Sequence, residues 1–304
     1  MKQSNLITKI FQNIVKNRDI RKFKKNIFYY LFFRLIRIFL NSYIEIKINN
    51  FKIFASNKKN HTSHALLKKC NFDDQHELKT IKKFSRKKKI FLIDCGCNYG
   101  FYSFYTASLS NNNFIISFEA SPNTSKDFNK NLSLNNFKNI IMNNLAVSNS
   151  DNNKVSFNES LNDWESSLSH NKFVEKKLTE INTITIDTAL KNYNINDYFL
   201  FIKLDIEGHE FEAIKGGINS IKKYFPIIII EFSKYIFENN KDSFSFLENF
   251  LVDFNYCIYG TNNKLITVDE VKLLLKNLNP AHKTIGNYYL IKNDENYKDL
   301  LLND

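Results

Sequence analysis

Residues 90–101 read IFLIDCGCNYGF, and this stretch decides the fold. Ile90 to Asp94 is a continuous apolar run closing on a carboxylate, the pattern of a strand buried on both faces. The chain then turns through Gly96 and Gly100, residues that permit a sharp reversal and close backbone approach to a ligand. A helix follows, roughly 99–109, and its first turn offers free amide donors. Strand, glycine loop and helix in that order cradle a nucleotide-type ligand. The dinucleotide fingerprint, however, needs glycine where this loop has Asn98 and Phe101. Asp94 argues the same way, because a carboxylate inside the loop repels a diphosphate. It suits instead a ligand bearing an ammonium and a sulfonium.

Outward from the loop the chain alternates regularly. Strand candidates are 114–119 (FIISFE), 139–146 (NIIMNNLA), 199–205 (FLFIKLD) and 226–232 (PIIIIEF). Helical segments fall at 123–135, 185–193 and 209–223, which makes a doubly wound parallel sheet with its ligand at the carboxyl ends of the strands. Glu119 closes the second strand, where an acid accepts from both hydroxyls of a ribose. The third strand, ending through Asn144 and Ala146, is placed to shelve an adenine. The tail reads as a helix near 242–253 and strands 255–259 and 286–291, a closing antiparallel hairpin. Before the core, residues 43–55 read as a hairpin around Asn49-Asn50. Residues 62–85 read as helix broken near Asn71, with Asp73 or Asp74 capping the second piece.

Composition narrows the class. The chain has 304 residues, 43% of them hydrophobic, which is enough for one large α/β domain. Net charge is +12, which by itself invites an anionic partner. Abundant Lys, Asn, Ile and Phe beside only 7 Gly and 3 Pro fit an AT-rich coding background better, and no nucleic-acid partner is expected. Cys70, Cys95, Cys97 and Cys257 include no Cys-x-x-Cys pair, so the thiols read as reduced and cytoplasmic, with no structural zinc. Ile27 to Leu40 is apolar but short, and Arg34 and Arg37 interrupt it, so it does not read as a membrane span. Residues 1–42 are therefore read as a basic, apolar extension to a domain at 43–304 with its core at 88–235. Segment 20–42 suits either docking on the protein or peripheral contact with the inner face of a membrane.

With these residues in view, the chain resembles the FkbM-type branch of the class I S-adenosylmethionine-dependent methyltransferases. The likeness rests on Asp94-x-Gly96-x-Asn98-x-Gly100, Phe118-Glu119 with Pro122 close behind, Leu145-Ala146-Val147-Ser148, and Ser166-Ser167. Lys203-Leu204-Asp205-Ile206-Glu207-Gly208-His209-Glu210, followed by Gly216-Gly217, completes it. The chain departs from the family at Glu119-Ala120-Ser121-Pro122, where Glu-Pro is usual, and at Cys95 and Cys97. The resemblance implies a seven-stranded, mostly parallel Rossmann-like sheet. It implies S-adenosylmethionine as cofactor, held by Asp94, Gly96, Asn98, Gly100, Glu119, Asn144 and Ala146. It further implies O-methylation, most often of a sugar hydroxyl in a glycan or a glycosylated small molecule.

Methyl transfer to a hydroxyl needs alignment and one group to take the alcohol's proton. Asp205 has the position, at the end of the fourth strand, and His209 has the ordinary pKa of a base near neutrality. Glu207 follows at the same turn, and Glu231 ends the fifth strand where it reaches a sugar hydroxyl or the base. Trp164 stands where it could stack on a sugar ring or simply pack. A divalent metal on these acids would be compatible, but no residue demands one and no metal site is expected. Three rivals are weighed: a nucleic-acid methyltransferase, a non-catalytic nucleotide- or adenosylmethionine-binding module, and an NAD-dependent oxidoreductase. The first lacks an Asn/Asp-Pro-Pro-Tyr motif, the clustered acids disfavour the second, and Asn98 with Phe101 disfavours the third.

Overall fold

The structure, a computed structural model, describes residues 6–10, 35, 37–39, 43–56, 74–160, 176–238, 242–279 and 282–302. Cys70, Trp164, Ser166, Ser167 and most of segment 20–42 lie outside the described residues. Strands are β1 Tyr43–Ile48, β2 Phe51–Ser56, β3 Ile90–Cys95, β4 Phe114–Phe118, β5 Ile140–Asn143, β6 Ala146–Val147, β7 Lys154–Ser160, β8 Lys176–Ile184, β9 Phe199–Leu204, β10 Ile227–Ser233, β11 Tyr256–Gly260, β12 Leu265–Ile266 and β13 Thr284–Lys292. Helices are α1 Gln75–Ser85, α2 Phe101–Leu109, α3 Pro122–Ser133, α4 Ile186–Leu190, α5 Glu210–Lys215, α6 Ile218–Tyr224, α7 Lys234–Glu238, α8 Ser243–Asp253, α9 Val268–Lys276 and α10 Glu295–Leu302.

The main sheet has eight strands in the order β12-β11-β13-β10-β9-β3-β4-β5. Neighbours from β5 to β10 pair in parallel, and β13 enters antiparallel between β10 and β11. The seven strands expected become eight because Leu265 and Ile266 pair on the outer edge of β11. Alternation along each strand sends side chains to opposite cores. Ile90 and Leu92 join one cluster while Phe91 and Ile93 join the other, and Ile227 and Ile229 part from Ile228 and Ile230 in the same way. Helices α1, α2 and α3 cover the first face, and α4, α6 and α8 the second. The result is a three-layer Rossmann-like fold whose parallel strands end on one edge.

The β1–β2 hairpin forms around Asn49, whose φ of 49° suits a tight turn. Its apolar face, Ile44, Ile46, Phe51 and Ile53, is buried in the first core cluster. Asn131 Oδ1 and Asn135 Oδ1 of the α3 region accept from Phe54 N and Lys52 N at 2.7 and 2.8 Å, so the edge of β2 is satisfied by side chains. The expected strand 139–146 divides: β5 stays in the main sheet, while β6 joins β8 and β7 in a side sheet. The expected helix 209–223 also divides, at Gly216-Gly217. There a Cβ on Gly216 would come within 2.1 Å of the Ser148 carbonyl oxygen.

Candidate functional site

Strand β3 carries Asp94 to its end, where it is buried. The Ser103 hydroxyl donates to Asp94 Oδ2 at 2.5 Å, and Ser117 Oγ lies 2.7 Å from Ser103 Oγ. Burial raises the Asp94 carboxyl to about 6, with the Ser103 hydrogen bond pulling the other way. The loop then folds onto neighbouring strand ends. Gly96 N and Cys97 N donate to Phe118 O at 2.9 and 3.0 Å, and Asp205 N donates to Cys95 O at 3.2 Å. Gly96, at φ +74°, lies so close to the next strand end that a Cβ would sit 1.9 Å from Asp205 O. Gly100 takes the N-cap of α2 in the left-handed conformation.

Glu119, just past β4, is buried against this loop. Its two carboxylate oxygens accept from Asn98 N at 3.0 Å and Ser121 N at 2.8 Å. Burial lifts its carboxyl to about 7, opposed by those amide donors. The two extra residues before Pro122 have a structural use: Ser121 caps α3, its hydroxyl accepting from Thr124 N at 3.2 Å. Asn144 turns back and donates to Glu119 O at 2.7 Å and Ala120 O at 3.1 Å. Ala146 packs with Ala120, Val155 and Ile181 in a small apolar cluster beside Glu119. Asn98, at φ 49°, leaves its buried Oδ1 with no hydrogen-bond partner among the described residues.

The second cluster gathers at the ends of β9 and β10. Lys203 Nζ, buried in β9, lies 3.4 Å from Asp205 Oδ2 and donates to Asn287 Oδ1 at 3.1 Å and Leu204 O at 3.4 Å. It also stands 5.4 Å from the centre of the Tyr102 ring. Burial opposes its charge, but Asp205, Glu231, Asp74 and Asp94 around it hold the ammonium above its ordinary pKa. Asp205 is 39% exposed, so its carboxylate meets both the lysine and open space. Burial pushes Glu231 up to about 8, with Asp205 adding to the rise and Lys203 opposing it. Burial and the neighbouring acids Asp205 and Glu231 push Glu207 far above the carboxylate range.

His209 and Glu210 face elsewhere. His209 Nε2 lies 3.0 Å from Ser148 Oγ, and burial lowers its pKa. It takes the N-cap of α5 without a side-chain capping bond. Glu210 accepts from Ile206 N at 2.9 Å and Gly208 N at 3.0 Å, bracing the turn in which Glu207 and Gly208 hold positive φ.

Sequence reasoning missed a third group. Asp74 does sit at the N-cap of α1, yet it makes no capping bond; its Oδ2 accepts from Tyr102 Oη at 2.9 Å. Glu77 Oε1 accepts from Asn287 Nδ2 at 2.8 Å. Asp74, Glu77, Glu231 and Asn287 line the inner end of a cleft of about 690 Å³ that opens toward β12 and α9. A fragmentary helix signal before β3 was the available clue to α1, and nothing local marked Asn287. Among the described residues no group of three or more His, Cys, Asp or Glu is arranged to hold a metal ion, and no helix is long and apolar enough to cross a membrane.

A parallel sheet with a glycine loop, a ribose-type acid at the second strand end and acids at the fourth defines a class I methyltransferase domain. Residues 94–258, more than half the chain, match the Methyltransferase FkbM domain, and the chain belongs to that family. S-adenosylmethionine is the cofactor of this domain.

Solved structures resemble the chain at low identity. The methyltransferase FkbM from Methylobacillus flagellatus KT is 17% identical, with a TM-score of 0.39, over 66% of this chain and 43% of the other. This chain thus spans under half the length of that relative. Precorrin-6y C5,15-methyltransferase from Geobacter metallireducens GS-15 is 12% identical over 72% and 88%, with a TM-score of 0.36. TYW2 from M. jannaschii in complex with AdoMet is 11% identical over 83% and 84%, with a TM-score of 0.37. No curated protein matches the sequence at a significant level.

The residues present fit the cofactor on their own geometry. Asn98 Oδ1, unpartnered among the described residues, can accept from a ligand hydroxyl, Glu119 retains lone pairs for a diol, and Asp94, when ionised, offers negative charge to a cation.

Proposed function

We propose that this chain transfers a methyl group from S-adenosylmethionine to a hydroxyl oxygen of a sugar, in a glycan or a glycosylated small molecule. The observation that supports it is Asp205, a half-exposed carboxylate beside a buried lysine at the strand end against which the cofactor loop packs, with that lysine also bonded to Asn287 of the cleft wall. Glu119 and Asn98 would hold the ribosyl part of the cofactor, Asp94 its cationic part, and Asn144, Ala120 and Ala146 the adenine side. When bound, the cofactor supplies a methyl group on a sulfonium, which needs no further activation. Asp205 takes the proton of the acceptor hydroxyl, and Lys203, 3.4 Å away, holds that carboxylate in position. Glu231 and Asn287 orient the acceptor. His209, turned onto Ser148, leaves the role of base to Asp205. The buried thiols of Cys95 and Cys97 suit a reducing, cytoplasmic setting.

The test is transfer of isotopically labelled methyl to a panel of sugar acceptors, read by mass spectrometry. Asp205→Asn is expected to slow transfer by about 10²-fold, with His209→Ala much milder. Methylation confined to nucleic acid, or an undiminished rate in Asp205→Asn, would contradict the reading. A lipid-carried acceptor further suits the basic, apolar segment 20–42. Deleting residues 1–42 should then move the protein from the membrane fraction to the soluble one.

A further inference from the structure

Helix α9 carries an apolar face that the core does not use. Val268, Val271 and Leu275 pack into the second core cluster, whereas Leu273 and Leu274 are 57% and 43% exposed. Glu270, Leu273 and Leu274 all line the cleft, and their i, i+3, i+4 spacing places them on one side of the helix. Ile266 and Ile285 extend the same apolar wall. Leucines grouped in this way along a cleft mark a surface that a ligand covers.

The inner end of the cleft has the opposite chemistry. Asp74 and Glu77 accept from the neutral donors Tyr102 and Asn287, and the ammonium near them, Lys203, is shared with Asp205. Asp74 and Glu77 leave the inner wall acidic and rich in acceptors, and Glu231, lifted to about 8 by burial, adds a carboxyl that is largely protonated near neutrality. Hydroxyl groups find partners there, whereas a phosphate, sulfate or carboxylate is repelled. A volume of about 690 Å³ accommodates a monosaccharide together with an attached group.

We propose that this cleft takes a glycoside with no acidic substituent on its methylated sugar and with an apolar aglycone lying on Leu273 and Leu274. The proposal deepens, and rests on, the reading of the chain as a sugar O-methyltransferase. The inner carboxylates select the head, and the leucine pair selects the tail.

The experiment uses the full chain saturated with S-adenosylhomocysteine. Octyl glycosides of neutral hexoses, octyl glucuronide and methyl glucoside, all below micelle-forming concentration, are titrated by saturation-transfer NMR. The neutral octyl glycosides are expected to bind about tenfold tighter, or better, than either the glucuronide or the methyl glucoside. Leu273→Ser combined with Leu274→Ser should erase the octyl advantage and leave S-adenosylhomocysteine affinity unchanged. Glu77→Gln should narrow the gap between glucoside and glucuronide. Equal binding of the glucuronide, a tail without effect, or no glycoside binding to a chain that still binds S-adenosylhomocysteine would overturn the proposal and leave the methyltransferase reading standing. A chain that fails to bind S-adenosylhomocysteine would bring down the reading itself.

Discussion

Gly96 holds φ at +74°, with the carbonyl oxygen of Asp205 where its Cβ would be. Gly96→Ala combines left-handed strain with a backbone clash and is expected to cost about 2 kcal/mol or more, read by thermal denaturation. Asn98 offers a contrast, because its side-chain oxygen has no partner among the described residues to lose. Asn98→Gly keeps the positive φ, so the ligand-free stability should change by about 1 kcal/mol or less while S-adenosylhomocysteine affinity falls by about 1–3 kcal/mol. Affinity should also depend on pH. Glu119, raised to about 7 by burial, and Asp94, raised to about 6, favour the ligand only when ionised. Binding is therefore present above these values and lost as pH falls through them, by roughly tenfold between about pH 8 and 6 in calorimetric titrations. Asp94 and Glu119 were legible in the sequence because each ends an apolar run. The path from Asp205 through Lys203 and Asn287 to Glu77 was not, because Asn287 and Glu77 are 210 residues apart and only the folded sheet joins them.

At the scale of elements, strands β3, β4, β9 and β10 were read correctly because burial on both faces leaves an unbroken apolar signature. Elements whose form depends on distant contacts were not. The strand read at 139–146 ends early because Ala146 pairs with Thr183 in the side sheet, and the helix read at 209–223 breaks where Gly216 meets Ser148. Residues 286–291 were expected to close a hairpin with 255–259, and β13 does pair antiparallel with β11. It also pairs with β10, and β12 and α9 lie in the connection. Helix α9 is held at its start by a capping box: the Thr267 hydroxyl accepts from Glu270 N at 3.2 Å and Glu270 Oε2 accepts from Thr267 N at 2.9 Å. Thr267→Ala should lower stability by about 1 kcal/mol, measured by denaturant unfolding. Because α9 forms one wall of the cleft, the same change should weaken glycoside binding and leave S-adenosylhomocysteine binding intact.

Over the whole molecule, the site concentrates acids that burial keeps partly protonated. Asp94, Glu119, Glu210 and Glu231 have folded values of about 6, 7, 7 and 8, against 3.8 to 4.5 for the unperturbed groups. Through these four groups the folded chain binds more protons than the unfolded one between about pH 4 and 8, and the stability they contribute falls as pH rises across that window. The ligand-free melting temperature should be higher near pH 5.5 than near pH 8. The gain on adding S-adenosylmethionine should be larger near pH 8, because the bound cation offsets carboxylates that are then ionised. A melting temperature that rises with pH would contradict the burial of these acids. The doubly wound topology and the cofactor edge were visible from the order of strands and helices, whereas the cleft was not, since it unites α1, β10, β12, α9 and β13.

The most direct measurement is calorimetric titration of the full chain with S-adenosylhomocysteine, with NADH as the control ligand and Glu119→Gln as the control variant. The expected result is micromolar binding of S-adenosylhomocysteine, weakened about tenfold or more in the variant, with no heat from NADH. Absence of S-adenosylhomocysteine binding, or tighter binding of NADH, would contradict the assignment of the Gly96–Gly100 loop and Glu119 to adenosylmethionine.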